Sequence, residues 1–272
     1  MKVAIQGIKG SYHHKVAVEF FDDQIDIIEC LSFDELVDSV CCGKSNYGVM
    51  AIENSIAGSI IPNYSLIDDN NLFITGEYYI NIHHNLMVYP GVDFSGITKI
   101  ASHPMALLQC KDFLKKTDKI ILEDKDTAQV AKRIKDEKIL DTAAIAGMEA
   151  ADIYGLDIIK RNIQTIKDNE TRFVIVSKSI DKTITKEPNK SSLKFILSHR
   201  NGSLANILNI LATHGLNLTK IQSIPIIETP WKYSFFIDTT FNDHKKYKKA
   251  IHKVSSESDL VKEFGVYNNF KS

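Results

Sequence analysis

The sequence predicts two domains of mixed α and β structure, because strand-length and helix-length segments alternate along it and one polar stretch interrupts them. Short apolar segments of strand length occur at residues 3–5, 47–52, 86–89 and 143–146. Helix-length segments occur at residues 102–115 and 127–135. This alternation is typical of an α/β domain. With 272 residues, 44% of them hydrophobic, the chain is long enough for two cores.

The polar stretch lies between residues 177 and 192 and is rich in lysine. Such a composition is typical of a linker. We therefore predict a first domain at residues 1–180, a linker at 181–192 and a second domain at 193–272.

The second domain has the segment order of a ferredoxin-like fold. Its pattern predicts strands at 193–198, 216–227, 231–240 and 260–267 and helices at 203–214 and 244–256, which gives the order βαββαβ. Gly202 and Gly215 stand before and after the first helix, where they mark its start and stop. No acid, base or nucleophile is clustered in this domain, so a sensing or dimerisation role is expected.

Composition argues against nucleic acid and membrane partners. Lys and Arg number 33 and Asp and Glu 34, and the basic residues are scattered. The four cysteines, Cys30, Cys41, Cys42 and Cys110, form no C-x-x-C pair and are expected to be reduced. Neither a signal peptide nor a membrane-spanning run is present in the sequence. We expect a cytoplasmic protein that acts on a small molecule.

Small polar residues follow several predicted strands of the first domain. Ser11 ends a Gly-x-x-Gly turn that opens a helix, and Glu53, Asn54 and Ser55 directly follow an apolar strand. Polar groups and free N–H groups at strand ends favour an anion-binding crevice. The structural alternatives are an ordinary glycine turn and, for Ser59, a helix cap.

Two further segments have the same character. Ser102 is predicted to cap a helix whose first turn contains Pro104, and Thr127 follows Asp126, a natural N-cap. The histidines lack the spacing of metal ligands, so no metal site is expected.

The last segment joins Asn169 and the run Thr171-Arg172-Phe173 to an apolar strand. An arginine can bind a carboxylate through two hydrogen bonds, and a threonine hydroxyl can donate to a leaving oxygen. The pair suits a small anionic substrate. These residues are equally compatible with a turn-capping Thr171 and a surface Arg172.

Taken in order, these motifs resemble the prephenate dehydratase family, and the resemblance covers nearly the whole chain. The matching segments are the turn from Gly7 to Tyr12, Glu53-Asn54-Ser55 with Gly58-Ser59, Ser102-His103-Pro104 with Ala106-Leu107 and Gln109-Cys110, Asp126-Thr127-Ala128, Ala143-Ala144-Ile145-Ala146, and Asn169 with Thr171-Arg172-Phe173. The resemblance implies a catalytic domain of two α/β lobes with a cleft between them, like a periplasmic binding protein. We expect no chorismate mutase domain before residue 1, and therefore a monofunctional enzyme.

The second domain is similar to the ACT regulatory domain of this family. The resemblance implies phenylalanine binding between ACT domains and an assembly of two or four copies. The implied allosteric residues are Asn201, Gly202, Ser203, Leu204, Ala205, Asn217, Leu218, Gln222 and Ser223. The family's usual Glu-Ser-Arg-Pro motif is Gln222-Ser223-Ile224-Pro225 here, which predicts weakened phenylalanine feedback. In the first turn, Ile8-Lys9-Gly10-Ser11 replaces Pro-Glu-Gly-Thr and keeps the hydroxyl.

The implied reaction is the conversion of prephenate to phenylpyruvate, with no cofactor or metal. Thr171 would assist the leaving hydroxyl, and Arg172 or the N–H groups around Ser11, Ser55 and Thr127 would bind the carboxylates. Arg172 could instead tie the two lobes together. The remaining substrate-binding candidates are Glu53, Asn54, Asn169 and Phe173, although core packing is the stronger expectation for Phe173. Arogenate as substrate, and a binding module without turnover, are the alternatives.

Overall fold

The computed structural model describes residues 1–22, 24–180, 187–198, 200–226, 229 and 232–271. Its internal contacts divide the chain into two units, one of residues 1–58 and 79–173 and the other of residues 59–78 and 174–272. The second unit therefore includes a segment from the predicted first domain. The linear domain bounds remain a prediction, and much of the predicted linker, residues 181–186, lies outside the described residues.

The secondary structure alternates between strands and helices as predicted. In the first half of the chain the elements are β1 Lys2–Gln6, α1 Tyr12–Phe21, β2 Asp26–Cys30, α2 Phe33–Cys41, β3 Tyr47–Asn54, β4 Gly58–Ser59, α3 Ile61–Asp69, β5 Phe73–Asn81, β6 Asn85–Val88, β7 Lys99–Ser102, α4 Pro104–Gln109, α5 Lys111–Leu114 and β8 Ile120–Glu123. They continue with α6 Thr127–Asp136, β9 Thr142–Ala146, α7 Met148–Tyr154, β10 Asp157–Lys160, β11 Glu170–Ser177, β12 Lys190–Ile196, α8 Ser203–Thr213, β13 Asn217–Pro225, β14 Tyr233–Thr240, α9 His244–Ser256 and β15 Leu260–Tyr267.

The first sheet has the strand order β2-β1-β3-β11-β5, with β4 beside β3. Strand β1 runs parallel to β2 and β3. In β3 every residue except Glu53 is buried, as expected for a strand covered on both faces. Polar side chains at the end of such a strand are held by a rigid element, and this positions Asn54.

The second sheet has the order β10-β6-β9-β7-β8. Small residues let helices α6 and α7 pack closely on it, and Ala128, Ala131, Ala150 and Ala151 belong to the resulting core. The chain enters this sheet after β5 and leaves it after β10. Two α/β sheets joined by two crossings form the periplasmic-binding-protein-like arrangement that the resemblance implied.

The third sheet is antiparallel, with the order β13-β14-β12-β15, and confirms the predicted βαββαβ order. Helices α8 and α9 contribute Ile207, Leu211 and Val254 to its core. Gly202 and Gly215 flank α8 with positive φ angles of 80° and 76°. Strand β12 begins at Lys190 and not at Leu193, and the predicted start of β14 at Trp231 lies outside the described residues.

In the second unit, ionic contacts join strands β12 and β15 to the segment 59–78. Lys194 and Lys262 both donate hydrogen bonds to the carboxylate of Asp68 in α3. Burial alone would raise the pKa of Asp68, but these two hydrogen bonds outweigh it and hold the pKa below its usual value. Lys190 and Glu77 form a second, buried pair at 2.8 Å.

No helix in the described ranges is both long and apolar enough to cross a lipid bilayer.

Candidate active site

The turn after β1 has the geometry that its glycines predicted. Gly7 and Gly10 have φ angles of 92° and 91°, which favour glycine. Ser11 then caps α1, its hydroxyl oxygen accepting from the N–H of His14 at 3.2 Å. A Cβ atom at Gly7 would lie 2.9 Å from Oδ2 of Asp126 and 3.4 Å from Cβ of Ser11. The turn therefore lies against the start of α6.

Helix α6 begins as predicted, with Asp126 as its cap. Oδ1 of Asp126 accepts from the N–H of Gln129 at 2.9 Å. Burial raises the pKa of this carboxyl above its usual value, against hydrogen bonds from the N–H groups of Gln129 and Ala128. Thr127, the first helical residue, is largely buried. Ser11 and Thr127 thus stand at the N-termini of two helices, where negative charge is favoured.

The side-chain amide of Asn54 is hydrogen-bonded to two other predicted site residues, Asn169 and Thr171. Its Nδ2 atom donates to Oδ1 of Asn169 at 2.7 Å and to Oγ1 of Thr171 at 2.8 Å. Its Oδ1 atom accepts from the N–H groups of Ile56 and Ala57 at 3.0 and 2.9 Å. Because Oγ1 of Thr171 accepts from Asn54, the hydroxyl keeps its own hydrogen for donation.

Ser55 is hydrogen-bonded to Glu170, the first residue of β11. Its N–H donates to the carbonyl of Glu170 at 2.8 Å, and its hydroxyl oxygen accepts from the N–H of Glu170 at 2.9 Å. The N–H groups of residues 55–57 are therefore used within the protein, and the hydroxyl hydrogen is what Ser55 can offer to a ligand. Glu53, one residue before Asn54 in β3, is half-buried.

Arg172 and Phe173 lie inside β11. Arg172 is 4% exposed, so the alternative of a surface arginine is wrong, and Thr171 lies in the strand and not in a turn. The ring of Phe173 is 1% exposed and stands edge-on to the ring of His13, with 5.0 Å between centroids. Removal from water lowers the pKa of His13 to about 3. Phe173 therefore packs in the core.

Ser102 does not cap a helix as predicted, and the alternative of a helix cap at Ser59 is also wrong. Oγ of Ser102 donates to the carbonyl of Ile145 at 2.6 Å, and Nδ1 of His103 accepts from the N–H of Met105 as the cap of α4. Ser59 lies in β4, and α3 begins at Ile61 with Ile60 in the cap position. Strand pairing requires the main chain at both positions, which moves each helix start downstream.

A second network of polar side chains was not predicted from the sequence. Nε2 of His84 lies 2.8 Å from Oε1 of Gln109, and Nδ1 of His84 lies 3.0 Å from the hydroxyl of Tyr12. Burial lowers the pKa of His84 and raises that of Tyr12. The sequence signal for this network is the adjacent pair His83-His84, directly before β6.

In the third sheet, the start of α8 borders a cavity of about 140 Å³. Asn201 and Ser203 line it, together with Arg200, Lys232 and Tyr233, which the sequence analysis had not selected. Gly202 precedes α8, and Leu204 and Ala205 lie in its first turn. Asn217 and Leu218 begin β13, and Nε2 of Gln222 donates to the carbonyl of Ser223 at 2.9 Å. Two cations beside a helix start suit a carboxylate ligand.

The fold, the polar cluster around Asn54 and the polar contacts of His84 define a small-molecule enzyme of the α/β class with an appended regulatory domain. The family model described as prephenate dehydratase matches residues 3–181, and that described as ACT domain matches residues 191–246. The chain therefore belongs to the prephenate dehydratase family, whose members are hydro-lyases, and it carries an ACT domain.

Curated relatives agree with this assignment. The chain is 33% identical to a bifunctional chorismate mutase/prephenate dehydratase of Buchnera aphidicola subsp. Acyrthosiphon pisum (strain APS), over 97% of this chain and 70% of that protein. It is 34% identical to the chloroplastic arogenate dehydratase/prephenate dehydratase 2 of Arabidopsis thaliana, over 88% of this chain and 65% of that protein.

Two solved structures share the fold over nearly the whole chain. One, described as a novel type of quorum quenching acylase, has a TM-score of 0.87 at 26% identity and covers 98% of both chains. The other is a prephenate dehydratase from Arthrobacter aurescens in complex with L-Phe, with a TM-score of 0.88 at 23% identity; the match covers 100% of this chain and 91% of that one.

Proposed function

We propose that the protein converts prephenate to phenylpyruvate in phenylalanine biosynthesis, and that Thr171 assists the departure of the ring hydroxyl. The observation that carries this proposal is the 2.8 Å hydrogen bond from Nδ2 of Asn54 to Oγ1 of Thr171. In this bond the threonine oxygen is the acceptor, which leaves its hydrogen available for donation to a substrate.

The proposed reaction requires few functional groups from the protein. The bond from the ring to one carboxylate breaks, carbon dioxide leaves, and that electron pair enters the ring as the carbon–oxygen bond to the hydroxyl breaks. The departing hydroxide takes a proton and leaves as water. Because the ring becomes aromatic, the driving force lies in the substrate. Binding, orientation and a positioned donor suffice, which accounts for a site built from hydroxyl, amide and guanidinium groups.

Arg172 is the proposed partner of one carboxylate, because a buried guanidinium is a strong and directional donor. The hydroxyls of Ser11, Ser55 and Thr127 are proposed as further donors at the substrate carboxylates. Asn54 and Asn169 would orient Thr171. Glu53 is proposed to border the substrate, and Phe173 to hold β11 in place by packing in the core.

The test is turnover of prephenate at neutral pH by the purified protein, with an enzyme-free control because prephenate breaks down unaided in acid. Thr171→Ala should lower kcat by about 10² to 10⁴, the range for a positioned proton donor, while Thr171→Ser should keep much of the activity. Thr213→Ala, at an exposed position in α8, is the matched control. Near-normal turnover by Thr171→Ala would remove Thr171 from the mechanism.

Arogenate is the second candidate substrate, because one relative is named for both reactions. It differs from prephenate in carrying an amino group on the side chain, and it undergoes the same elimination. Comparing kcat/KM for the two substrates decides between them. A well-folded protein that turns over neither would favour a binding module.

The ACT domain is proposed to bind L-phenylalanine at the start of α8 and to lower activity. A relative of the same fold is described in complex with L-Phe, and Arg200 and Lys232 beside the cavity suit its carboxylate. Gln222 and Ile224 in place of the family's charged residues should weaken this binding. Calorimetry showing tight binding would contradict the weakening, and no heat would remove regulation by this ligand.

The remaining proposals concern organisation. We place the catalytic domain at residues 1–180, the linker at 181–192 and the ACT domain at 193–272, and the two family matches support this division. The protein is proposed to act in the cytoplasm, where its cysteines would stay reduced. Self-association as a dimer or tetramer is expected from the ACT domain and can be measured by sedimentation.

A further inference from the structure

Strand β8 is an exposed, apolar sheet edge. It is the last strand in the order β10-β6-β9-β7-β8, and among the described residues only β7 pairs with it. Its side chains Ile120, Ile121 and Leu122 are 58%, 39% and 41% exposed. Three consecutive exposed apolar residues on an open edge are a ready template for another strand.

The unpaired backbone groups of β8 alternate along the edge. The N–H groups of Ile120 and Asp124 both donate inward, to the carbonyls of Thr98 and Ser102 at 2.9 Å. Because successive residues of a strand point their N–H and C=O groups to opposite sides, those of Ile121 and Glu123 point away from β7. The carbonyl of Lys119, the residue before the strand, also points away, because it is opposite the inward N–H of Ile120 in the same peptide group.

We propose that this edge pairs with the same edge of a second copy of the chain, antiparallel and across a twofold axis at Ile121. In that register, Ile121 faces Ile121 of the second copy and exchanges two hydrogen bonds with it. Lys119 faces Glu123 of the second copy, and Ile120 faces its Leu122. Every outward residue then meets an outward residue, as an antiparallel ladder requires.

The charges on the edge are self-complementary in this register. Glu123 lies on the same face as Ile121, since side chains alternate along a strand, and Lys119 directly precedes the strand, two positions before Ile121. Pairing brings each lysine next to the other copy's glutamate, twice over by symmetry. Within one chain, Nζ of Lys119 lies 3.4 Å from the carboxylate of Asp118 and 5.1 Å from the centre of the Phe94 ring. The side chain of Asp118 is 88% exposed, so loss of this ion pair costs little, whereas the side chain of Lys119 is 13% exposed and must leave the Phe94 ring to reach Glu123 of the second copy.

Self-complementarity is what singles out a second copy as the occupant. The sequence Lys119-Ile120-Ile121-Leu122-Glu123 is apolar at its centre and carries opposite charges at its ends, so it matches its own reverse. A twofold interface needs this property, whereas a strand from another protein does not. The proposal concerns assembly and does not rest on the proposed reaction.

Charge reversal tests the register directly by sedimentation over a wide range of concentrations. Glu123→Lys alone places lysine against lysine at both ends, and Lys119→Glu alone places glutamate against glutamate. Each variant alone should associate about tenfold or more weakly at this interface, and an equimolar mixture of the two should regain association as a mixed pair. Ile121→Lys, which sets two like charges together at the axis, should abolish pairing without disturbing the core.

Amide hydrogen exchange gives a second readout, in which Ile121 and Glu123 should be protected in the wild type and exchange quickly in Ile121→Lys. Any association through the ACT domains would remain in this variant, so its mass should fall to half that of the wild type. Equal masses for the wild type and Ile121→Lys at every concentration would overturn the proposal and leave the edge to a strand of another protein. Failure of the mixture to recover would overturn the register.

Discussion

The amide nitrogen of Asn54 lies 2.8 Å from the hydroxyl oxygen of Thr171, although 117 positions separate the two residues. The same amide group holds the turn after β3 through its oxygen, which accepts from Ile56 and Ala57. One side chain therefore has two tasks: its oxygen accepts from the turn, and its nitrogen donates to Thr171 and, at 2.7 Å, to Asn169.

Asn54→Asp separates these tasks. The carboxylate can still accept from the turn N–H groups, but it cannot donate to Thr171, and it would accept the hydroxyl hydrogen that is proposed to serve the substrate. We expect kcat to fall by about 10² or more, the scale of a lost proton donor, and the melting temperature to fall as well, because a buried carboxylate would face Oδ1 of Asn169 and the carbonyl of Glu170. Steady-state kinetics and thermal unfolding on the same preparation measure both effects.

The matched control is Asn46→Asp, at an exposed position where Oδ1 of Asn46 also accepts from a backbone N–H, that of Lys2. It should keep wild-type kinetics. Turnover by Asn54→Asp within a few-fold of the wild type would show that Thr171 does not depend on the amide nitrogen.

The buried pair of Lys190 and Glu77 predicts a strong asymmetry between single and double substitutions. Their side chains are 4% and 0% exposed, so removal of one partner leaves an uncompensated charge in the interior. Lys190→Met should destabilise the protein by about 3 to 5 kcal/mol, and Glu77→Gln should also be costly. The double variant should cost clearly less than the sum of the two.

Urea unfolding of the four proteins in this double-mutant cycle gives the coupling energy. The exposed pair of Lys132 and Asp136, at 2.6 Å, is the control, and either substitution there should cost at most about 1 kcal/mol. Additive effects at Lys190 and Glu77 would mean that water reaches the pair.

Gly265 in β15 is predicted to tolerate no side chain. A Cβ atom there would lie 1.9 Å from the carbonyl oxygen and 2.9 Å from the carbonyl carbon of Ile74, both of which are main-chain atoms. Because the main chain cannot rotate away as a side chain can, Gly265→Ala should cost about 3 kcal/mol or more, or prevent folding. Gly96→Ala, whose new Cβ would meet nothing closer than 3.5 Å, should cost under about 1 kcal/mol.

Chemical denaturation of the two alanine variants compares them directly. Equal stabilities would show that β15 shifts away from Ile74 at little cost.

Much of the fold was predictable because its signals are local. Apolar runs gave the strands of the sheets, Asp126 marked the start of α6, and the glycines at 202 and 215 bounded α8. The start of α4 was misplaced, and a cap at Ser59 was a wrong alternative, because strand pairing by these two serines competes with helix capping. No local pattern in the chain expresses that competition.

The site was predictable as a set of residues and not as an arrangement. Polar residues after buried strands indicated Asn54 and Thr171, but their hydrogen bond follows from the pairing of β3 with β11. The contact between His84, directly before β6, and Gln109, at the end of α4, likewise joins residues 25 positions apart in the sequence. The grouping of residues 59–78 with the C-terminal unit follows from tertiary contacts such as those of Asp68.

His13 predicts a pH dependence of stability in weak acid. Its ring stands against Phe33 and Phe173, and removal from water lowers its pKa from 6.5 to about 3. Above about pH 6.5 the histidine is neutral in both the folded and unfolded states and contributes no slope. As the pH falls below 6.5, His13 binds a proton in the unfolded chain but stays neutral in the folded protein. The free energy of unfolding therefore decreases by ~1.4 kcal/mol per pH unit down to about pH 3.

The comparison that isolates this group is between the wild type and His13→Gln, with the free energy of unfolding measured from pH 7 to 4. Carboxylates titrate in both proteins and cancel in the difference. The variant is expected to be less stable at neutral pH because the aromatic packing is lost, and to lose less stability than the wild type on acidification. His252→Gln, at an exposed position of α9, should follow the wild-type curve. Parallel curves for the wild type and His13→Gln would mean that the folded protein accepts the proton on His13, and that the ring is open to water.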